Sequence, residues 1–199
     1  TSNNSGLNIA HCAAKYGELE ILKWLYSDPE LKTLLSPSNN RGLNIAHFAA
    51  GNGKLEILQW LYSEPELKTL LTTPNNNGLN IAHCAAERGL LEILKWIDSE
   101  PELKTLLLAP HNDGLNIAHF AAQCGKLEIL KWIDSAPQLH TLLTAPDLDN
   151  KKPLYIAHIH NRPECVSFLE NLQNTTRKTR SSTLSLFTSS PQPSKRRCI

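Results

Sequence analysis

The hexapeptide G-L-N-I-A-H begins at Gly6, Gly42, Gly78 and Gly114, three equal steps of 36 residues. Self-similarity at such a period marks stacked units, each too small to bury a core alone. The match extends through the unit, because A-A-x-x-G, then L-E-I-L-x-W, then S-x-P-[EQ]-L-x-T-L-L follow in all four copies. A fifth, weaker copy reads from Pro153 to Leu172. It keeps L-x-I-A-H and the apolar Val166, Phe168, Leu169 and Leu172 but lacks the A-A pair, the turn glycine and the tryptophan. Terminal units are atypical because one face meets water. The expected organisation is an array over residues 1–172, with units starting near 6, 42, 78, 114 and 153, and a tail over 173–199.

Within a unit the pattern is helical. In the first copy Asn8 suits an N-cap, Ile9, Cys12 and Ala13 fall at helical spacing, and Gly17 ends a short helix. A second helix is predicted from about Glu18 to Tyr26, with Leu19, Ile21, Leu22 and Leu25 apolar and Glu20 and Lys23 paired on the wet side. S-D-P-E then reads as a capping box, Ser27 at N-cap and Glu30 at N3, opening a short third helix that carries Leu31, Leu34 and Leu35. Proline, asparagine and glycine close the unit as a turn or finger. Helices this short are marginal alone, so their stability has to come from stacking. The expected class is all-α, a solenoid of five helix-turn-helix units.

The pattern resembles the ankyrin repeat, G-x-T-P-L-H-x-A-A-x-x-G-x-x-E-[IV]-V-x-x-L-L. Residues 114–133 match it at the first glycine, the histidine, A-A, the second glycine, the glutamate and the aliphatic positions. Two departures are visible: N-I-A-H stands for T-P-L-H, and the period is 36 rather than 33. The resemblance implies a protein-binding array without catalysis. It also implies that the recurrent His11, His47, His83 and His119, with His158 from the fifth copy, lock helix starts structurally. Near-identical arrays of this kind resemble those that intracellular bacteria deliver into host cells.

The composition offers no competing chemistry. Net charge is +1, no apolar run is long enough to span a membrane, and the five cysteines include no C-x-x-C, which suits a reducing compartment, the cytoplasm. The chain opens at Thr1 and contains no methionine, which reads as a piece of a longer or processed protein. Histidines a full repeat apart cannot share one metal. The alternation Cys12, Phe48, Cys84, Phe120, then Ile159, reads as small packed against large, and Trp24, Trp60, Trp96 and Trp132 read as a core ladder. His158 and His160 near Cys165 form the one cluster that does not repeat. No phosphate-binding glycine loop, H-E-x-x-H or G-x-S-x-G occurs. No catalytic residue, cofactor, metal or small-molecule substrate is therefore expected.

Near-identical copies act as an internal control: positions fixed in every copy serve the stack, and positions that vary are free for other work. Variation concentrates after A-A, at Lys15, Tyr16, Asn52, Glu87, Arg88 and Gln123. It recurs along the finger turns before the next glycine, the stretches that hold Asn40, Arg41, Asn76, Asn77, His111, Asn112 and Asp113. A third variable position holds Leu90 where its equivalents are charged. By the resemblance these residues line a concave groove where a partner protein docks, with Tyr16, Arg41, Arg88 and His111 as anchors. The expected function is a monomeric protein-interaction scaffold.

Two alternatives stand beside it. One makes the array the targeting module of a larger enzyme or secreted effector whose catalytic part precedes Thr1. The other is nuclear or nucleic-acid association through the tail, which carries all six basic residues after Leu172, including Lys195, Arg196 and Arg197, and no acidic ones. Residues 1–172 then hold 14 basic and 19 acidic residues, a net −5, which disfavours a nucleic-acid groove. The tail is expected to be disordered.

Overall fold

The structure is a computed structural model and describes residues 2–174. The tail sites at Lys195, Arg196 and Arg197 lie outside the described residues. Each of the first four units supplies an inner helix, an outer helix and one short helical turn. The inner helices are α1 (Ile9–Tyr16), α3 (Ile45–Gly51), α6 (Ile81–Arg88) and α9 (Ile117–Gln123). The outer helices are α2 (Leu19–Ser27), α4 (Leu55–Ser63), α7 (Leu91–Ser99) and α10 (Leu127–Ser135). The short turns are 3-10 segments at Leu31–Leu34 and His140–Leu143 and one-turn helices α5 (Thr69–Thr72) and α8 (Thr105–Leu108). The fifth unit adds α11 (Pro153–Ile159) and α12 over 163–174. No strand occurs among the described residues, so the fingers are turns rather than hairpins.

Alanine governs the stacking. Ala10, Ala14 and their counterparts in the next three units are wholly buried, so neighbouring inner helices approach closely along the whole stack. Leucine, isoleucine and tryptophan hold the outer helices farther apart. Leu22, Leu25, Leu58, Leu61, Leu94 and Ile97 fill the space between the layers.

The recurrent asparagine does two jobs. Its extended backbone places Oδ1 to accept from the N–H groups that open the inner helix, as at Asn80, which accepts from Ala82 at 2.9 Å and His83 at 3.1 Å. Its Nδ2 donates to the short third helix of the same unit, at Leu34 O, Leu70 O, Leu106 O and Leu142 O, over 2.7 to 3.2 Å. Threonine at this position caps but has no amide to donate. The third helix and the asparagine therefore belong together, and the longer period has a structural partner in N-I-A-H.

Two local expectations are corrected. The S-x-P-E segment forms no capping box: Ser27, Ser63, Ser99 and Ser135 donate backward to the carbonyls of Trp24, Trp60, Trp96 and Trp132, at 2.7 to 2.8 Å. In the first unit Asp28 caps instead, its Oδ1 accepting from Glu30 N and Leu31 N. The tryptophan ladder is not uniformly core. Trp60 and Trp96 are buried beneath Tyr26 and Tyr62, edge to face at 5.8 and 6.0 Å, whereas Trp132 is half-buried and Trp24 exposed.

The fifth unit keeps the 36-residue step. Each finger closes with the same bond, Asn3 N to Leu7 O, Asn39 N to Leu43 O, Asn75 N to Leu79 O, His111 N to Leu115 O, and then Asp147 N to Lys151 O. The L-x-I-A-H match is thus three residues out of register, and the unit opens at Asn150 rather than Pro153. The turn glycines are not lost but replaced. Asn150 (φ 62°) and Asn161 (φ 53°) take the left-handed conformation held by Gly6 and Gly17, as asparagine does more readily than other residues with a side chain. Tyr155 stands at the capping-histidine register and Ile156, not Ile159, continues the Cys12 series. His158 is exposed, its Nε2 3.5 Å from Glu170, and caps nothing. Register is fixed by the inter-finger bond from Leu148 N to Asp113 O, which a match of side-chain letters does not see.

Candidate functional site

The fingers stand as a ladder beside the inner helices. Asn40 N donates to Ser5 O, Asn76 N to Arg41 O, Asn112 N to Asn77 O and Leu148 N to Asp113 O, at 3.0 to 3.2 Å. A second row runs through side chains: the amides of Asn40, Asn76 and Asn112 donate to the backbone carbonyls of Asn4, Asn40 and Asn76. Each finger is also closed internally. Asn39 Oδ1 accepts from Arg41 N and Leu43 N, and Asn75 Oδ1 from Asn77 N and Leu79 N. The finger carrying Arg41 and that carrying Asn77 are therefore held at fixed spacing.

Between fingers and inner helices lie two adjoining concavities. One, of about 230 Å³, is walled by Arg41, Asn52, Glu87 and Arg88 over a floor that includes Phe48, Leu79 and Cys84. The next, of about 260 Å³, is walled by Arg41, Asn77, Glu87, His111 and Gln123, with Leu79 and Phe120 beneath. Arg41, Leu79 and Glu87 are common to both, so the two form one continuous groove. The apolar floor was read from the sequence as packing only. Its signal in the sequence is the phenylalanine of alternate units, Phe48 and Phe120, each half-buried and lining the groove.

The remaining candidate residues fall elsewhere. Lys15 and Tyr16 are exposed at the N-terminal end, the ammonium 5.3 Å from the ring. Asn40, Asn76 and Asn112 spend their amides on the finger ladder, and Asp113 faces His111 Nδ1 at 3.4 Å. Leu90 is half-buried against the core with a methyl over Gly53, in the place where the stems of Lys54 and Lys126 cover Gly17 and Gly89. Its apolar character is accounted for by the stack.

Histidine chemistry at the groove wall is locked. His11, His47, His83 and His119 are buried and complete capping boxes, Nδ1 accepting from the asparagine N–H at 3.1 to 3.3 Å. In His47 and His119 Nε2 donates to Leu79 O and Lys151 O of the following unit, both at 3.0 Å. Nε2 of His11 and His83 closes no such bond, and these two rings meet Phe48 and Phe120 at 5.4 and 5.1 Å. Burial lowers the pKa of all four and brings His83 to about 4, helped by nearby His111. Burial also pushes the Cys84 thiol up to about 12, the opposite of an activated nucleophile. No group of three or more His, Cys, Asp or Glu side chains that could hold a metal occurs among the described residues. His160 is exposed and Cys165 is buried.

The family model for ankyrin repeats matches residues 10–105 in three copies. Residues 10–105 are ankyrin repeats. The fourth unit carries the same motif at the same step, and the stacked architecture is that of an ankyrin-repeat solenoid. No curated protein matches the chain by sequence. Ankyrin repeats are in general protein–protein interaction modules. No helix of the described residues is long and apolar enough to cross a membrane.

Proposed function

We propose that the array is a non-catalytic scaffold that holds one partner protein in the groove between its fingers and inner helices. The observation that carries this is convergence. Arg41, Asn52, Asn77, Glu87, Arg88, His111 and Gln123, which come from four successive units and vary between copies, meet around one groove with an apolar floor. The Arg41 and Arg88 side chains make no ion pair among the described residues, so a partner carboxylate meets them without breaking an existing bond. Guanidinium groups over an apolar floor are the chemistry of interface anchors. The mechanism is presentation of a preformed surface, whose fixed finger spacing keeps the ordering cost of binding low. We propose the cytosol as compartment, where the free Cys12, Cys84, Cys124 and Cys165 stay reduced, and a monomer as the working form.

The test is capture of partners from cytosolic extract on three baits: the whole chain, a chain ending at residue 174, and the whole chain carrying Arg41→Ala, Arg88→Ala and His111→Ala. A partner kept by the shortened chain and lost by the triple variant supports groove recognition. Partners that all follow the tail overturn it.

A further inference from the structure

The N-terminal end of the stack carries the same face that is buried three times inside it. Ile45, Ile81 and Ile117 are 0% exposed, but Ile9 at that register is 50% exposed. Ile57, Ile93 and Ile129 are 1 to 2% exposed, but Ile21 is 38%. Trp60 and Trp96 are 9% exposed, but Trp24 is 58%. At the second and third units the preceding unit covers the face with a defined set of groups. A tyrosine meets the tryptophan, Tyr26 on Trp60 and Tyr62 on Trp96. A lysine held over that tyrosine ring, at 4.1 and 4.0 Å, reaches a glutamate in the next unit, Lys32 to Glu66 at 2.5 Å and Lys68 to Glu102 at 2.8 Å. Finger carbonyls accept from the next asparagine amide.

The first unit offers the receiving half of every one of these contacts: Trp24 for the tyrosine, Glu30 at the register of Glu66 for the lysine, and the Asn4 amide for the finger. Trp24 and Glu30 make no such contact among the described residues. We infer that this end is a docking face for a further 36-residue unit of the same class, one that carries a tyrosine at the Tyr26 register and a lysine at the Lys32 register. The occupant is specified from within the chain. Where Asp98 replaces that tyrosine, the following Trp132 stays half-exposed. A second copy stacked head to tail fits poorly, because its last unit sets Glu170 at the tyrosine register, opposite Trp24.

The test inserts a duplicate of residues 6–41, with Trp24→Phe in the duplicate so that only the original Trp24 reports at this end, between Ser5 and Gly6 of the full chain. The expected result is a higher urea midpoint and slower amide exchange across the original α1 and α2, with Trp24 shielded from iodide quenching. In the same insertion carrying Tyr26→Asp and Lys32→Glu in the duplicate, these gains are lost. Two outcomes overturn the inference: unchanged exchange and quenching in the matched insertion, or equal protection by both insertions, which would mean any apolar cover suffices. A third is concentration-dependent association of the unmodified chain that Trp24→Asp abolishes, which would assign the face to a second copy.

Discussion

Acidification should loosen the array at His83 before any carboxylate is involved. The ring is fully buried, its Nδ1 accepts from Asn80 N–H at 3.1 Å, and Phe120 lies 5.1 Å away. A proton added at Nδ1 would face a donor, and the charge would sit without solvent. Burial, with His111 second, brings the pKa from 6.5 to about 4. The unfolded chain therefore binds the proton first. Stability is complete above the unfolded pKa, falls as pH drops below about 6.5, and has lost its full share, about 3 kcal/mol, once pH passes below about 4. At about pH 5.5 the loss is about 1.4 kcal/mol. The assay compares urea unfolding of the native chain and His83→Gln at about pH 7.5 and about pH 5.5. His11, His47 and His119 titrate in both proteins and cancel. The stability difference between them should shrink by about 1.4 kcal/mol on acidification. A difference that does not change with pH would refute the assignment of a depressed pKa to burial.

Five further substitutions at four positions probe the stack, each read by denaturant unfolding. Asn80→Ala removes the helix cap and leaves Leu106 O without its donor, at a combined cost of about 2 kcal/mol, whereas Asn80→Thr keeps the cap and should cost about half as much. Gly42→Ala puts a Cβ on a residue at φ +77°, 2.6 Å from Asn76 N, and should destabilise by more than about 1 kcal/mol. Trp60→Ala should cost about 3 to 5 kcal/mol and Trp24→Ala under about 1 kcal/mol, because only the former has a preceding unit over it.

The architecture was legible because 36-residue identity leaves few alternatives, and the asparagine caps, left-handed glycines and alanine faces each follow from one residue type in one place. What stayed hidden depends on neighbours in space. The identical Trp24 and Trp60 differ sixfold in exposure for want of a unit on one side, which no local pattern encodes. The fifth unit misled because Leu154 to His158 imitates the motif, while Asn150 and Asn161 keep the true step through backbone conformation alone. Ser27 has the letters of a cap but lies one bond too early, closing the helix behind it. In the groove, variation between copies pointed to Arg41, Glu87, Arg88 and His111, and the structure brings them together. It does not point to Leu79, fixed in the first four copies, or to Phe120, whose alternation with cysteine reads as packing; Asn40, whose amide serves the ladder, stands at a register that is asparagine at 4, 40, 76 and 112, while that of its neighbour Arg41 varies.

The central claim is that the inner-helix and finger face receives the partner. Hydrogen exchange on the whole chain with its captured partner tests it most directly. Protection should fall on α3, α6 and the finger turns around Arg41 and Asn77, with the solvent side of α4 and α7 unchanged. Protection confined to the outer helices, or to residues beyond 174, would contradict the account.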